Sequence, residues 1–203
     1  MERFTIEVGS YGVNCSVLHS DGKAWIVDPG EEGERIAALA ARRGLVPQAI
    51  LLTHAHFDHI GGIPALKRAF PDIPVYAHPA DRPIFGHPFN QMPPEYPSIG
   101  VPDGLRDVAT LEIPGLQVIH TPGHTPGGVC YFFADFDGAP LLLSGDTLFA
   151  GSVGRTDFPG GSMSAMTESL RKLADLPDGT VVVPGHGPAT TIAAEKAGNP
   201  FMA

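Results

Sequence analysis

Cysteine is nearly absent from this chain: Cys15 and Cys130 are its two thiols in 203 residues. Two cysteines cannot build a disulfide framework. Each lies in an apolar run, Val13 to Leu18 and Gly128 to Phe133, so both read as small buried thiols in a reducing compartment and not as nucleophiles. Basic residues are also scarce, 13 Lys and Arg against 22 Asp and Glu, which leaves a net charge of −9. With no basic stripe, a polyanionic backbone is repelled, and nucleic acid is excluded as a partner. No run of about 18 apolar residues occurs, and Met1 to Val8 lacks a charged start followed by a long apolar stretch. The expectation is a soluble, cytoplasmic protein with no membrane partner. There is no Gly-x-Ser-x-Gly elbow, no literal repeat and no low-complexity segment. A chain of 203 residues is long enough for a substantial core, and one domain spanning 1–203 is expected.

What is present alternates. Phe4 to Val8, Val13 to Leu18 and Ala24 to Val27 are short apolar runs separated by turns, the pattern of hairpin-linked strands. Glu31 to Arg43 carries Ile36, Ala37, Leu39 and Ala40 at helical spacing and closes at Gly44. Gln48 to Leu52 reads as a buried strand, Ile63 to Phe70 as a helix opening at about Ile60-Gly61-Gly62, and Val75 to Ala77 as another strand. Seven prolines between Pro79 and Pro102 exclude regular structure over most of that stretch. Its Phe85, Phe89 and Tyr96 fit either an apolar flap or a packed connection. Leu116 to His120, Gly128 to Phe133 and Pro140 to Leu143 read as strands, Met163 to Leu173 as a helix, and Thr180 to Val183 as a last strand. Strands followed by a helix, twice over, suit an α/β chain with two mixed sheets packed face to face and helices on the outer faces.

The chemistry concentrates in Thr53-His54-Ala55-His56-Phe57-Asp58-His59. Three imidazoles and a carboxylate at one strand end are costly to bury without a metal. Side chains two apart in extended chain point the same way, so His54 and His56 reach one ion together. The turn that follows swings Asp58 and His59 toward a second. Three later segments each end an apolar strand at a polar ligand beside glycine: His120 to Gly127 with His124, Leu142 to Thr147 with Asp146, and Val182 to Pro188 with His186. Pooled, they supply one ion with His54, His56 and His124 and another with Asp58, His59 and His186, Asp146 bridging. Imidazole with carboxylate suits two divalent metal ions, zinc first, then iron or manganese. His19, His78, His87 and His120 have no such setting and read as structural or exposed.

The ordered set HxHxDH, GH, GD and GH, after an early Asp28-Pro29-Gly30, resembles the metallo-β-lactamase fold hydrolases across essentially the whole chain. The resemblance implies an αββα four-layer sandwich with the site at one edge of two sheets, and Asp28 as the residue that orients a ligand histidine. Two such cations, about 3.5–4 Å apart, lower the pKa of a bridging water toward neutrality, with Asp58 orienting the nucleophile. Gly151 to Gly161, with Arg155 inside it, and the tail Thr190 to Phe201 are similar to the short type II glyoxalases. That likeness implies a small-molecule thioester substrate such as S-D-lactoylglutathione. Arg155 is then an anion contact, or else the partner of Asp157. Only 17 residues follow His186, where longer glyoxalases II carry a helical glutathione-binding domain. Another thioester, or a broader set, is therefore also compatible. The competing class is a persulfide dioxygenase holding one iron through His54, His124 and Asp146, although Gly187-Pro188 stands where that class carries Asp-Tyr. A lactonase shares the same ligands.

Overall fold

The computed structural model describes residues 1–202. They form two compact units, Met1–Thr110 and Leu111 onward, each built on one mixed sheet.

In the first unit β1 (Glu2–Val8), β2 (Val13–Ser20) and β3 (Lys23–Val27) form an antiparallel meander. The sheet then turns parallel. Helix α1 (Gly33–Arg42) carries the chain from β3 to β4 (Val46–Leu51), and α2 (Phe57–Ile60) with α3 (Ile63–Ala69) carries it to β5 (Val75–Ala77). β6 (Leu105–Asp107) closes the parallel edge beside β5. Ile36 of α1 is buried in one apolar cluster with Ile26, Ile50, Leu66 and Phe85, and Ala40, one turn along the helix, is buried too. Each of the five large side chains of that group contributes about 1.5–3 kcal/mol by leaving water.

In the second unit β7 (Leu116–His120), β8 (Val129–Phe136) and β9 (Ala139–Gly145) are antiparallel neighbours. A small hairpin of β10 (Leu148–Phe149) and β11 (Ser152–Val153) follows, then α4 (Met163–Ala174). β12 (Val181–Pro184) returns parallel to β9, and β13 (Thr190–Thr191) pairs on its outer edge before α5 (Ile192–Gly198). Met166, Leu170 and Leu173 recur at helical spacing on α4 and pack on Cys130, Phe132, Leu142 and Val182. Ser162 caps α4 by accepting from the Ala165 N–H, and Thr191 caps α5 in the same way from Ala194.

The expected strands and the helices α1, α3 and α4 are present within a few residues of their anticipated ends. One expectation is corrected: a helical turn opens at Phe57 and not near Ile60, so Asp58 and His59 sit inside it. The cause is distant, because the Phe57 N–H is capped by Asn90, 33 residues along the chain. Elements β6, β10, β11, β13 and α5 had not been anticipated, and four of them are two or three residues long, too short to carry a period. Among the described residues no helix is long and apolar enough to cross a membrane.

Candidate metal centre

Every candidate ligand segment follows the carboxyl end of a strand. In the first unit β4 ends at Leu51, and the Leu52 N–H still donates to Tyr76 of β5. The chain then leaves the sheet through Thr53 to His56 and enters α2. His54, His56 and His59 are all buried. The His54 and His56 rings stand perpendicular at 4.8 Å between centroids, and the His54 and His59 rings lie 4.1 Å apart. His59 Nε2 and an Asp58 carboxylate oxygen are 3.8 Å apart. These four residues lie close together just past the end of β4.

Beneath them sits Asp28. One of its oxygens accepts from the Thr53 N–H (2.7 Å), and the other accepts from the Thr53 hydroxyl (2.6 Å) and faces His59 Nδ1 at 3.1 Å. A carboxylate only accepts, so the His59 proton is on Nδ1. Because the Thr53 hydroxyl gives its proton to Asp28, its lone pairs face His54 Nδ1 at 3.1 Å, and that ring also protonates at Nδ1. Both rings then present Nε2 as the lone-pair nitrogen, the form that binds a metal. Asp28, His54 and His59 place ligand-type atoms within 4.8 Å of one another. The Asp28 oxygens already hold Thr53 and His59, so Asp28 acts as the orienting residue. Its backbone lies in the left-handed region (φ 49°), a conformation rare outside glycine. Gly30 comes so close to the Asp58 carbonyl that a Cβ could not be added there, and the Gly62 N–H donates to Pro29. The Asp28-Pro29-Gly30 turn and the ligand loop are therefore locked backbone to backbone.

The other side of the ligand loop is held by the Pro-rich segment. The Ala55 N–H donates to buried Asp81 (3.0 Å), the Ala55 carbonyl accepts from Asn90 Nδ2 (2.8 Å), and the Phe57 N–H donates to Asn90 Oδ1 (2.8 Å). Leaving one of these buried groups unmade costs about 1–3 kcal/mol. Thr53, Asp81 and Asn90 escaped sequence reasoning. Thr53 opens the ligand motif and is the one with a local signal, a hydroxyl at a buried strand end; the other two have none.

In the second unit β9 and β12 are parallel neighbours, and the pairing runs on past their ends, with the Gly185 N–H donating to Gly145. Asp146 and His186 emerge from these adjacent ends. His186 Nε2 lies 3.6 Å from Asp146 Oδ2, and His124 Nε2 lies 3.5 Å from the same oxygen. Two ligands at about 2.1 Å from one tetrahedral ion are about 3.4 Å apart, so these separations fit donors sharing an ion. They are too long for good hydrogen bonds. His124 Nδ1 lies 2.7 Å from the Arg155 carbonyl, which only accepts, so this ring too is protonated at Nδ1 and presents Nε2. Gly154 packs directly on the Asp146 carbonyl and the His124 ring, where a side chain has no room.

The Arg155 side chain is exposed. It forks Asp157 through Nε and Nη2, both at 2.7 Å, and lies over the Phe158 ring at 3.9 Å. The guanidinium holds the Asp157 carboxyl down at about 2, and the carboxylate raises the arginine in turn. The four remaining histidines make local contacts: His78 and His87 accept from nearby N–H groups, His120 meets the Pro126 carbonyl, and His19 lies against Phe4. Both cysteines are fully buried, and burial pushes the Cys130 thiol up to about 11 and raises Cys15 as well. Neither is a nucleophile at neutral pH.

The sequence profile of the metallo-β-lactamase superfamily matches residues 8–186, across both units. The chain belongs to that superfamily and has its fold, with two mixed sheets and helices. It is 39% identical to BLEG-1, a B3 metallo-β-lactamase of known structure, with a TM-score of 0.88 and full coverage of both chains. TTHA1623, solved in a di-iron-bound form, is 40% identical with a TM-score of 0.86, covering 98% of this chain and 99% of that one. The hydroxyacylglutathione hydrolase GloC of Haemophilus influenzae is 33% identical over 97% of this chain and 96% of its own length. The His and Asp donors described above suit a metal site of this superfamily.

Proposed function

We propose that this protein is a metal-dependent hydrolase of small-molecule thioesters such as S-D-lactoylglutathione. In this reading His54, His56, Asp58, His59, His124, Asp146 and His186 would be the ligands of two divalent cations, with Asp146 serving both. What supports it is the hydrogen-bond pattern: His54, His59 and His124 each set Nδ1 against an acceptor, which makes Nε2 the lone-pair nitrogen, the form that binds a metal. Imidazole and carboxylate donors favour zinc, with iron or manganese as alternatives, and TTHA1623 was solved with iron.

When bound, the two ions supply Lewis acidity and bring the pKa of water toward neutrality. Asp58 would orient the attacking water, whose proton passes to solvent. The water oxygen bonds to the thioester carbon, the C–S bond breaks, and the sulfur departs as thiolate, a leaving group that needs no added acid. Arg155 is the candidate contact for an anionic substrate group. Its fork to Asp157 uses two of five N–H donors, which leaves three for a ligand. The name of the GloC relative supports the thioester class.

The likeness to BLEG-1 favours a second reading, hydrolysis of a β-lactam amide. One assay separates the two. Metal-loaded protein is given S-D-lactoylglutathione, a chromogenic cephalosporin and glutathione persulfide, while thiol release, ring opening and oxygen uptake are followed. Thiol release without oxygen uptake is the expected result. Ring opening alone, or oxygen consumption with the persulfide, would overturn it.

A further inference from the structure

We infer that Pro79–Pro102 is a fixed strap whose Asp81 and Asn90 are positioning residues for the metal-ligand loop, not a lid that opens over it. The inference rests on the metal-centre reading above. Ala55 stands between His54 and His56, and both of its backbone polar groups are tied to this segment, the N–H to Asp81 and the carbonyl to Asn90. Asn90 also accepts from the Phe57 N–H, so one amide spans the residues on either side of His56. A rotation of either peptide would re-aim the imidazole attached to it. With the two peptides pinned, His54 and His56 keep their perpendicular pose, and the turn carrying Asp58 and His59 starts where Asn90 caps it.

The strap is itself anchored on both sides of Asn90. Phe85 is fully buried in the core of the first unit. Tyr96 is buried and packs edge-on against Phe57 at 4.8 Å, with its hydroxyl 3.1 Å from Ser10. Phe89, next to Asn90, lies edge-on to His56 at 5.9 Å. Moving the segment away would strand three hydrogen-bonding groups of the ligand loop, two of them buried. Neither Asp81 nor Asn90 is itself assigned as a metal ligand; they act through the backbone that carries the ligands.

The test uses the full chain stripped of metal and titrated with Co2+, reading both affinity and the visible d–d bands, which report the ligand field and are indifferent to a mere loss of stability. Asn90→Ala removes both bonds. Asn90→Asp has nearly the same shape, keeps the acceptor for Phe57 and loses the donor to Ala55. Leu66→Ala, in the same core but off the loop, controls for lost stability. Asn90→Ala is expected to bind Co2+ about 10–100-fold more weakly, with shifted bands and Asn90→Asp in between, because groups that orient ligands carry effects of that size. Leu66→Ala is expected to melt earlier yet bind as wild type. Wild-type affinity and bands in both Asn90 variants would overturn the strap, as would an equal loss in Leu66→Ala. Failure of the wild-type protein to bind Co2+ would overturn the metal-centre reading, and the strap with it.

Discussion

At the scale of single residues, acceptors placed against Nδ1 set which nitrogen of His54, His59 and His124 carries the proton. Asp28 does this twice, directly for His59 and through the Thr53 hydroxyl for His54. Asp28→Ala is therefore expected to weaken metal binding about 10–100-fold, measured by competition with a chelator, even though Asp28 is not itself a ligand in this account. Undiminished affinity would mean that the two rings are set some other way. Arg155 and Asp157 give a second prediction at this scale. The Asp157 carboxyl is held at about 2, below the ordinary 3.9, so the stabilisation it contributes is present above pH about 4 and is lost as pH falls through about 2. Both groups are exposed, and salt screens the pair. An NMR titration of Asp157 is expected to show this low midpoint and its return toward the ordinary value in Arg155→Ala. A midpoint that ignores the arginine would refute the pairing in solution.

At the scale of elements, the C-terminal helix braces the hairpin that carries Gly154 and the Arg155 carbonyl. Glu195 of α5 is buried. Its carboxylate accepts from the Gly151 N–H and Asn199 Nδ2, both at 2.8 Å, and from the Thr190 hydroxyl at 2.6 Å. Asn199 in turn donates to the Ser152 carbonyl. Glu195→Ala leaves three donors without that acceptor and is expected to cost about 3 kcal/mol, read from denaturant unfolding. A cost under about 1 kcal/mol would show that water takes the place of the carboxylate. Elements of this kind mark the limit of what was legible in the sequence. Helices α1 and α4 announce themselves through Ile36 and Ala40, and through Met166, Leu170 and Leu173, at helical spacing. Helix α5 places one side chain, Ile192, in the apolar cluster and is held by Glu195, whose partners lie up to 44 residues away. The onset of α2 at Phe57 was hidden for the same reason, since its cap is Asn90.

At the scale of the whole molecule, the proposed ligands were legible because each stands just past a strand end: His54 and His56 after β4 in a dense histidine cluster, and Asp146 after β9 and His186 after β12, each beside glycine. The orienting residues were less so. Asp28 could be anticipated only by resemblance to a family, and Asp81 and Asn90 not at all, because their partners are backbone groups that any residue supplies. Division of the chain into two units, with four proposed ligands in one and three in the other, makes metal stoichiometry the quantity on which the functional reading turns. The most direct measurement is the number of metal ions per chain in purified protein dialysed against excess zinc and then against metal-free buffer, counted by elemental analysis. The account predicts two, falling to one or none in Asp146→Ala. A wild-type value of one, or a count unchanged in that variant, would contradict it.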